Sequence, residues 1–413
     1  MASPGLNETN HYADFFWQQV GARVAYWRDY VTAQATNGPA LTGKQGQIMR
    51  AIHFGLRETA AWSTILALIE AFAPYMERAG QWEAWQVILE RGLTVAQRLD
   101  DLAGVVKLSV LQARLLQRQS RFKEAIAVYR RAIRLARRVG DEFSEARACS
   151  NLGFLYAQLG SWERSEVLCC HALTVFRKLN SNHGLAYTEN HLGSLYIWQC
   201  RWGLAKKHLE RACEIWKSMG DNQGLVDGYM NLGLLYNDIK QPEKALIYHR
   251  KALYQAELIG EETKVANIYV NLGITYRLNH QVSEAELYAR RAEAIFRRTQ
   301  DLLGTAQVED NLGLVYLDQS RWVDSKRHLK NALEIWRQLA NDYGEIRTLT
   351  YLVEHEHAKG ELTKVAKQVA QIEQFIQQLG QGGQAPHWQT LLRKCRCILA
   401  EGVSSGMQRL KPN

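Results

Sequence analysis

Apolar, small and polar residues return along this chain at fixed offsets. "NLGFLYAQLG" begins at Asn151, and related strings, "HLGSLYIWQC", "NLGLLYNDIK", "NLGITYRLNH" and "NLGLVYLDQS", begin at 191, 231, 271 and 311, a period of forty residues. A leucine column (Leu152, Leu192, Leu232, Leu272, Leu312) and a tyrosine column (Tyr156, Tyr196, Tyr236, Tyr276, Tyr316) lie four apart, which puts them on one helix face. Between them runs a glycine column, Gly153, Gly193, Gly233, Gly273 and Gly313. Twelve residues past each glycine stands Ser165, Ala205, Ala245, Ala285 or Ser325, and seven further on Ala172, Ala212, Ala252, Ala292 or Ala332. A glycine inside a helix costs about 1 kcal/mol against alanine. Close approach of a second helix compensates for it, so each unit reads as two antiparallel helices, with Gly153 facing Ser165. Gly160 ends a first helix, Pro242 opens a second one, and "GD" at 140–141 and 220–221, with Asp301 at the same offset, marks unit starts.

Such a hairpin cannot bury its apolar face alone, and stacking buries it. Leu-Gly-x-x-Tyr with small residues twelve and nineteen past the glycine resembles the tetratricopeptide repeat. The forty-residue period is similar to its longer-helix form in kinesin light chains, spindle-orienting scaffolds and the sensor arms of bacterial STAND ATPases. The resemblance implies an all-α fold, a right-handed solenoid of about eight hairpins. Units are expected near 62–101, 102–141, 142–181, 182–221, 222–261, 262–301, 302–341 and 342–380, and 381–413 as a capping helix and tail. Residues 1–61 form an N-terminal extension: a helix over 10–31 with Phe15, Phe16, Val20, Val24 and Trp27 on its apolar face, then a loop at 36–46. This opening resembles the segment joining the ATPase part of STAND proteins to their repeat arm. The residue sixteen past each glycine (Cys169, Leu209, His249, Ala289, Leu329) departs from the large side chain of the family, which predicts looser packing in the fifth and sixth units.

Composition adds little to the architecture and more to the exclusions. Six prolines among 413 residues suit a nearly all-helical chain. No stretch approaches eighteen apolar residues, and the opening lacks the basic and apolar runs of a secretion signal. The seven cysteines have neither disulfide-framework nor zinc-type spacing, so Cys149 and Cys213 read as buried thiols of a cytoplasmic protein. Gly38 to Lys44 matches GxxxxGK, but Gln45 stands where a magnesium-holding hydroxyl belongs and no strand precedes it. His355 and His357 diverge by roughly 200° on a helix and cannot share a metal. His208 and His328 share a column with Tyr248 and Tyr288, a packing position. Neither an enzyme motif nor a cofactor or metal site is expected.

Net charge is +9, and between Arg114 and Arg138 nine basic residues face one acid, Glu124. Arg130, Arg131, Arg134, Arg137 and Arg138 concentrate this charge on one stretch of helix. Such a patch could hold phosphates, which makes nucleic-acid binding the alternative function, or an acidic protein, or it forms a solvated outer face. With only Tyr129 among the arginines, stacking on bases is not indicated.

The position before each leucine reads Asn151, His191, Asn231, Asn271, Asn311. One turn earlier stand Arg147, Tyr187, Asp227, Asn267 and Gln307, and one turn later Phe154, Ser194, Leu234, Ile274 and Leu314. Beyond these come Gln158, Trp198, Asp238, Leu278 and Asp318. Asparagine is an indifferent helix former whose amide both donates and accepts, as a peptide bond does. The resemblance implies that these positions line a concave groove and hold an extended peptide. The other reading has the asparagines bridge neighbouring helices. A non-catalytic scaffold, adaptor or sensor that binds a partner's peptide segment is the expected function.

Overall fold

The computed structural model describes residues 5–34, 38–57, 61–78, 81–119, 121–339, 341–378 and 386–409. Among them every regular element is a helix. The first three are α1 (Gly5–Ala33), α2 (Gly38–Thr42) and α3 (Gln45–Gly55). Hairpins follow: α4 (Trp62–Arg78) with α5 (Trp82–Arg98), α6 (Leu102–Arg118) with α7 (Phe122–Val139), α8 (Glu142–Gln158) with α9 (Trp162–Lys178), and α10 (Asn182–Trp198) with α11 (Trp202–Met219). Then come α12 (Asn222–Asp238) with α13 (Pro242–Leu258), α14 (Glu262–Leu278) with α15 (Val282–Thr299), α16 (Leu302–Asp318) with α17 (Trp322–Gln338), and α18 (Asp342–Ala358) with α19 (Leu362–Gln378). The last helix is α20 (Pro386–Arg409).

The chain divides into two compact units. One comprises residues 1–155, 164–192 and 218–222; the other 156–163, 193–217 and 223–413. In the first, Val24 and Trp27 of α1 and Ile48 and Ile52 of α3 pack with Ile65, Phe72 and Trp85 into one core. Only part of the expected face of α1 is covered: Phe15 and Phe16 are about half exposed. The loop expected at 36–46 contains helix α2, and α3 begins at Gln45; residues 36 and 37 lie outside the described residues. Gly38 is helical, so the GxxxxGK stretch does not form a phosphate-cradling loop. In the second unit Ile346, Leu349, Val365, Val369 and Ile372 join Trp388 and Leu392 of α20.

The turns have a common construction. Among the described residues, twelve at multiples of twenty have positive φ; five are glycines and seven are Asp100, Asn180, Cys200, Lys240, His280, Gln300 and Ser320. The amide after the left-handed residue reaches back across the turn in most of these, as Ser161 N does to Tyr156 O at 2.8 Å. Where the next residue is Asp or Asn, its side chain caps the following helix: Asp101, Asp141, Asp301 and Asn341 each accept a backbone N–H three residues on, whereas Gln241, Glu261, Gln281 and Arg321 make no such bond.

The inner glycines sit against the second helix of their own hairpin. A Cβ on Gly153 would lie 2.5 Å from Cys169 Sγ and 3.2 Å from Ser165 O. The fifth and sixth units are not looser. His249 is fully buried and its ring fills the space beside Gly233, while Asn311 lies nearest Gly273, where Ala289 leaves room. A second complementarity, between consecutive hairpins, was not read from the sequence. Phe176, Trp216, Phe296 and Trp336 press on Gly184, Gly224, Gly304 and Gly344. Where the aromatic is replaced by Ala136 or Ala256, the facing position is Ser144 or Lys264.

Candidate functional site

The column expected to face a ligand divides into engaged and unengaged side chains. In the second unit, Asn231 donates from Nδ2 to Ser194 Oγ at 3.3 Å, a bond to the preceding hairpin. Asn311 is 3% exposed and donates to Val270 O at 3.4 Å. The groove position expected for Asn311 is therefore corrected: the small Ala289 admits this amide between helices, out of reach of a ligand. In the first unit His191 is half-buried, stacks on Phe154 at 4.6 Å and has its Nδ1 3.0 Å from Ser150 Oγ. Bridging between hairpins thus accounts for Asn231, His191 and Asn311.

Four amides remain. Asn151 in the first unit, and Asn267, Asn271 and Gln307 in the second, are half-buried, and their side chains form no hydrogen bond among the described residues. Asn267 and Asn271 occupy successive turns of α14, and Gln307 of α16 corresponds to Asn267 one repeat later. Leu234 and Ile274 are half-buried in the next column. Around them Asp227 is ion-paired with Lys264, and Asp318 with Arg277 at 3.2 Å. Burial holds the Asp238 carboxyl above its usual range despite Lys240. Trp198 in this unit is 41% exposed, and Gln158 is exposed as well. Tyr187 in the first unit is half-buried.

Arg147, on α8, belongs to a charged cluster that spans α4, α6 and α8 of the first unit. Glu77 is buried, and its Oε2 accepts from Arg114 at 2.7 Å and Arg118 at 3.4 Å. Glu70 binds Lys107 at 3.0 Å. Arg147 Nη1 stands 3.8 Å from Glu70, beyond hydrogen-bond reach, and its Nε and Nη2 are buried without a partner. Burial, then repulsion from Arg114, lowers its pKa.

The stretch from Arg114 to Arg138 does not make one basic surface, which corrects the nine-residue patch. Arg114 and Arg118 turn to Glu77, and Arg137 pairs with Glu145 at 2.7 Å. Arg130, Arg131, Arg134 and Arg138 are exposed on α7. A chemical grouping missed by sequence spacing is Glu145, Cys149 and His171, whose donor atoms lie within 4.8 Å of one another across α8 and α9. Arg137 already holds Glu145, and burial pushes the Cys149 thiol up to about 12, so the trio is poorly prepared for a cation. Cys149 and Cys213 are buried and free.

The second-helix column behaves as packing. Tyr248 stacks on Tyr236 and Tyr288 on Tyr276, at 5.3 and 5.2 Å, while His208 and His328 lie against Tyr196 and Tyr316. His355 is buried with Nε2 at 3.0 Å from Trp322 O, and His357 is half-buried. No described helix is long and apolar enough to cross a membrane.

Tetratricopeptide-repeat family models match residues 106–138, 144–218, 225–298 and 305–342, more than half of the chain. The chain belongs to the tetratricopeptide repeat family. No curated protein matches it by sequence. Among solved structures it is similar to a Rap protein complexed with competence and sporulation factor, at 14% identity and a TM-score of 0.57, covering 82% of this chain and 99% of that one. It is also similar to the apo quorum sensor NprR of B. thuringiensis, at 13% identity and a TM-score of 0.53, covering 92% and 99%. A third similarity is to NprR in complex with its cognate peptide NprX, at 14% identity and 0.51, covering 78% and 94%. At these identities the likeness establishes the fold: tandem tetratricopeptide hairpins.

Proposed function

We propose that this protein is a non-catalytic adaptor or sensor that captures an extended segment of a partner protein on its first-helix faces. The observation that carries this reading is the set Asn267, Asn271 and Gln307, three half-buried amides on adjacent hairpins without internal bonds, beside Leu234 and Ile274. An amide can both donate to and accept from a peptide backbone, so it recognises a strand whatever its sequence. The neighbouring apolar side chains then select among ligand residues. Two of the similar folds were solved in complex with competence and sporulation factor or with a cognate peptide, which supports the reading by analogy of fold.

Affinity purification from the native host tests it. The wild-type chain and the Asn267→Ala, Asn271→Ala, Gln307→Ala triple variant are compared as baits, with circular dichroism checking that both fold. Capture by the wild type and loss by the variant is the expected result. A variant that folds and retains every partner contradicts the proposal.

A further inference from the structure

We infer that a cavity in the second unit, where α17 begins and α18 ends, binds a small organic phosphate that carries hydroxyls and a flat ring, a compound of the mononucleotide kind. Its residues are not those proposed for peptide capture, and it does not depend on that reading.

The repeat shows how the cavity arises. Between α15 and α16 the tyrosine column presents Tyr316, whose hydroxyl donates to Glu286 Oε1 and accepts from Arg290 Nη2, both at 2.6 Å. Gln319 donates to the other oxygen of Glu286 at 3.1 Å. Forty residues on, the column ends: Glu356 replaces the tyrosine, and Lys326, Lys330 and Lys359 replace Glu286, Arg290 and Gln319. Glu356 is buried and accepts from Lys326 Nζ at 2.6 Å. A glutamate is shorter than a tyrosine and has no ring. A cavity of about 380 Å³ opens there, lined by the three lysines together with Trp322, Arg327 and His355. That volume falls within the range of small-molecule sites.

Among the described residues the lining carries four cations and no carboxylate. Asp324 serves both Arg321 and Arg327, and Glu361 serves both Lys359 and Lys364. Lys330 makes no ion pair or hydrogen bond among the described residues. Exchanging Glu286 for Lys326 turns an acceptor into a donor, so an anionic oxygen suits this place where a neutral hydroxyl suited its counterpart. Three of the four cations are lysines, which bind phosphate as point charges. His355 is fully buried, in a column that Leu155, Leu195, Leu235 and Val315 fill in other hairpins. Its Nε2 stands 3.0 Å from Trp322 O, so that nitrogen carries the proton and Nδ1 is left as an acceptor. Nδ1 has no hydrogen-bond partner, and Glu356 Oε1, at 3.7 Å, is itself an acceptor. A buried acceptor without a donor needs a reason, and a ligand hydroxyl in the cavity supplies one. The half-buried indole of Trp322, beside the 84% exposed Val323, offers a ring its apolar wall.

The test titrates AMP into the full chain at low salt by isothermal titration calorimetry, with adenosine and inorganic phosphate in parallel. AMP is expected to bind, and each of the other two about tenfold more weakly, since each lacks part of what the cavity recognises. Lys330→Gln, which breaks no internal bond, is expected to weaken AMP binding about tenfold, and His355→Leu about fivefold. Lys326→Glu with Glu356→Tyr, which rebuilds the arrangement around Tyr316, is expected to abolish it. Arg130→Gln with Arg134→Gln, on the exposed side of α7, is expected to leave the affinity within twofold. If the Lys326→Glu, Glu356→Tyr variant fails to fold, Lys330→Gln and His355→Leu decide. No binding of AMP by the wild type overturns the site, as does Lys330→Gln or His355→Leu binding within twofold of it. So does inorganic phosphate or adenosine binding as tightly as AMP. Displacement of AMP by oligothymidylate at a lower phosphate concentration than by unlabelled mononucleotide would make the cavity a polyanion contact and overturn it too.

Discussion

Gly224 offers a perturbation whose sign depends on packing between hairpins. A methyl group there would lie 2.2 Å from Trp216 Nε1 and 2.3 Å from Cδ1. Ordinary contact begins near 3.4 Å, so the ring must retreat by over 1 Å. Trp216 is fully buried. Overpacking of this kind costs about 1–3 kcal/mol, and so large a displacement belongs at the upper end. Alanine returns up to about 1 kcal/mol of helix propensity, leaving a net loss near 2 kcal/mol for Gly224→Ala. Gly203, in the first turn of α11, has open space around it, so Gly203→Ala is expected to be neutral or stabilising by up to about 1 kcal/mol. Trp216→Ala alone should cost about 3–5 kcal/mol. Combined with Gly224→Ala it should cost less than the two single losses added, because Ala256 with Lys264 is already such a relaxed pair. Urea unfolding of the four variants and wild type measures these terms. Gly224→Ala as stable as Gly203→Ala, or strictly additive losses, would refute the reasoning.

Further outcomes follow from other contacts. Cys200, Lys240 and Ser320 hold positive φ, so replacing each by glycine should stabilise the protein by roughly 1 kcal/mol, seen as a higher thermal midpoint. His249 is buried beside Gly233, and burial lowers its pKa to about 4, against 6.5 for a free histidine. Its folded pKa is depressed, so its contribution is fully present above pH 6.5 and is lost progressively as pH falls toward 4, an effect of roughly 3 kcal/mol. His249→Leu should flatten that part of a stability–pH curve. Asn311→Ala should lower stability by about 1–3 kcal/mol by emptying the space beside Gly273, whereas Asn271→Ala should leave it within about 0.5 kcal/mol.

The hairpins were legible because glycine, leucine and tyrosine sit at fixed offsets dictated by contacts within one hairpin. Contacts between hairpins were harder to read. Asn231, Asn271 and Asn311 look alike in sequence, yet their fates depend on residues in adjacent hairpins: Ser194 accepts from one, and Ala289 opens space for another. Arg147 and Arg347 likewise differ only through Val110 and Asp310, one hairpin back. The run from Arg114 to Arg138 misled because one turn of chain separates α6 from α7, and Glu77, which draws Arg114 and Arg118 away, lies far upstream. Phe15 and Phe16 fit an amphipathic pattern, but the core covers α1 from Val20 to Val31 and leaves them about half exposed.

Capture of a peptide segment on the first-helix face is tested most directly by site-specific photocrosslinking in the native host. A benzophenone amino acid is placed at Ile274, between the free amides, or at Ile247, an exposed position on the second helix α13. Discrete adducts from Ile274, mapping to one short stretch of a partner, with none from Ile247, are the predicted result. Adducts from Ile247 alone would contradict it.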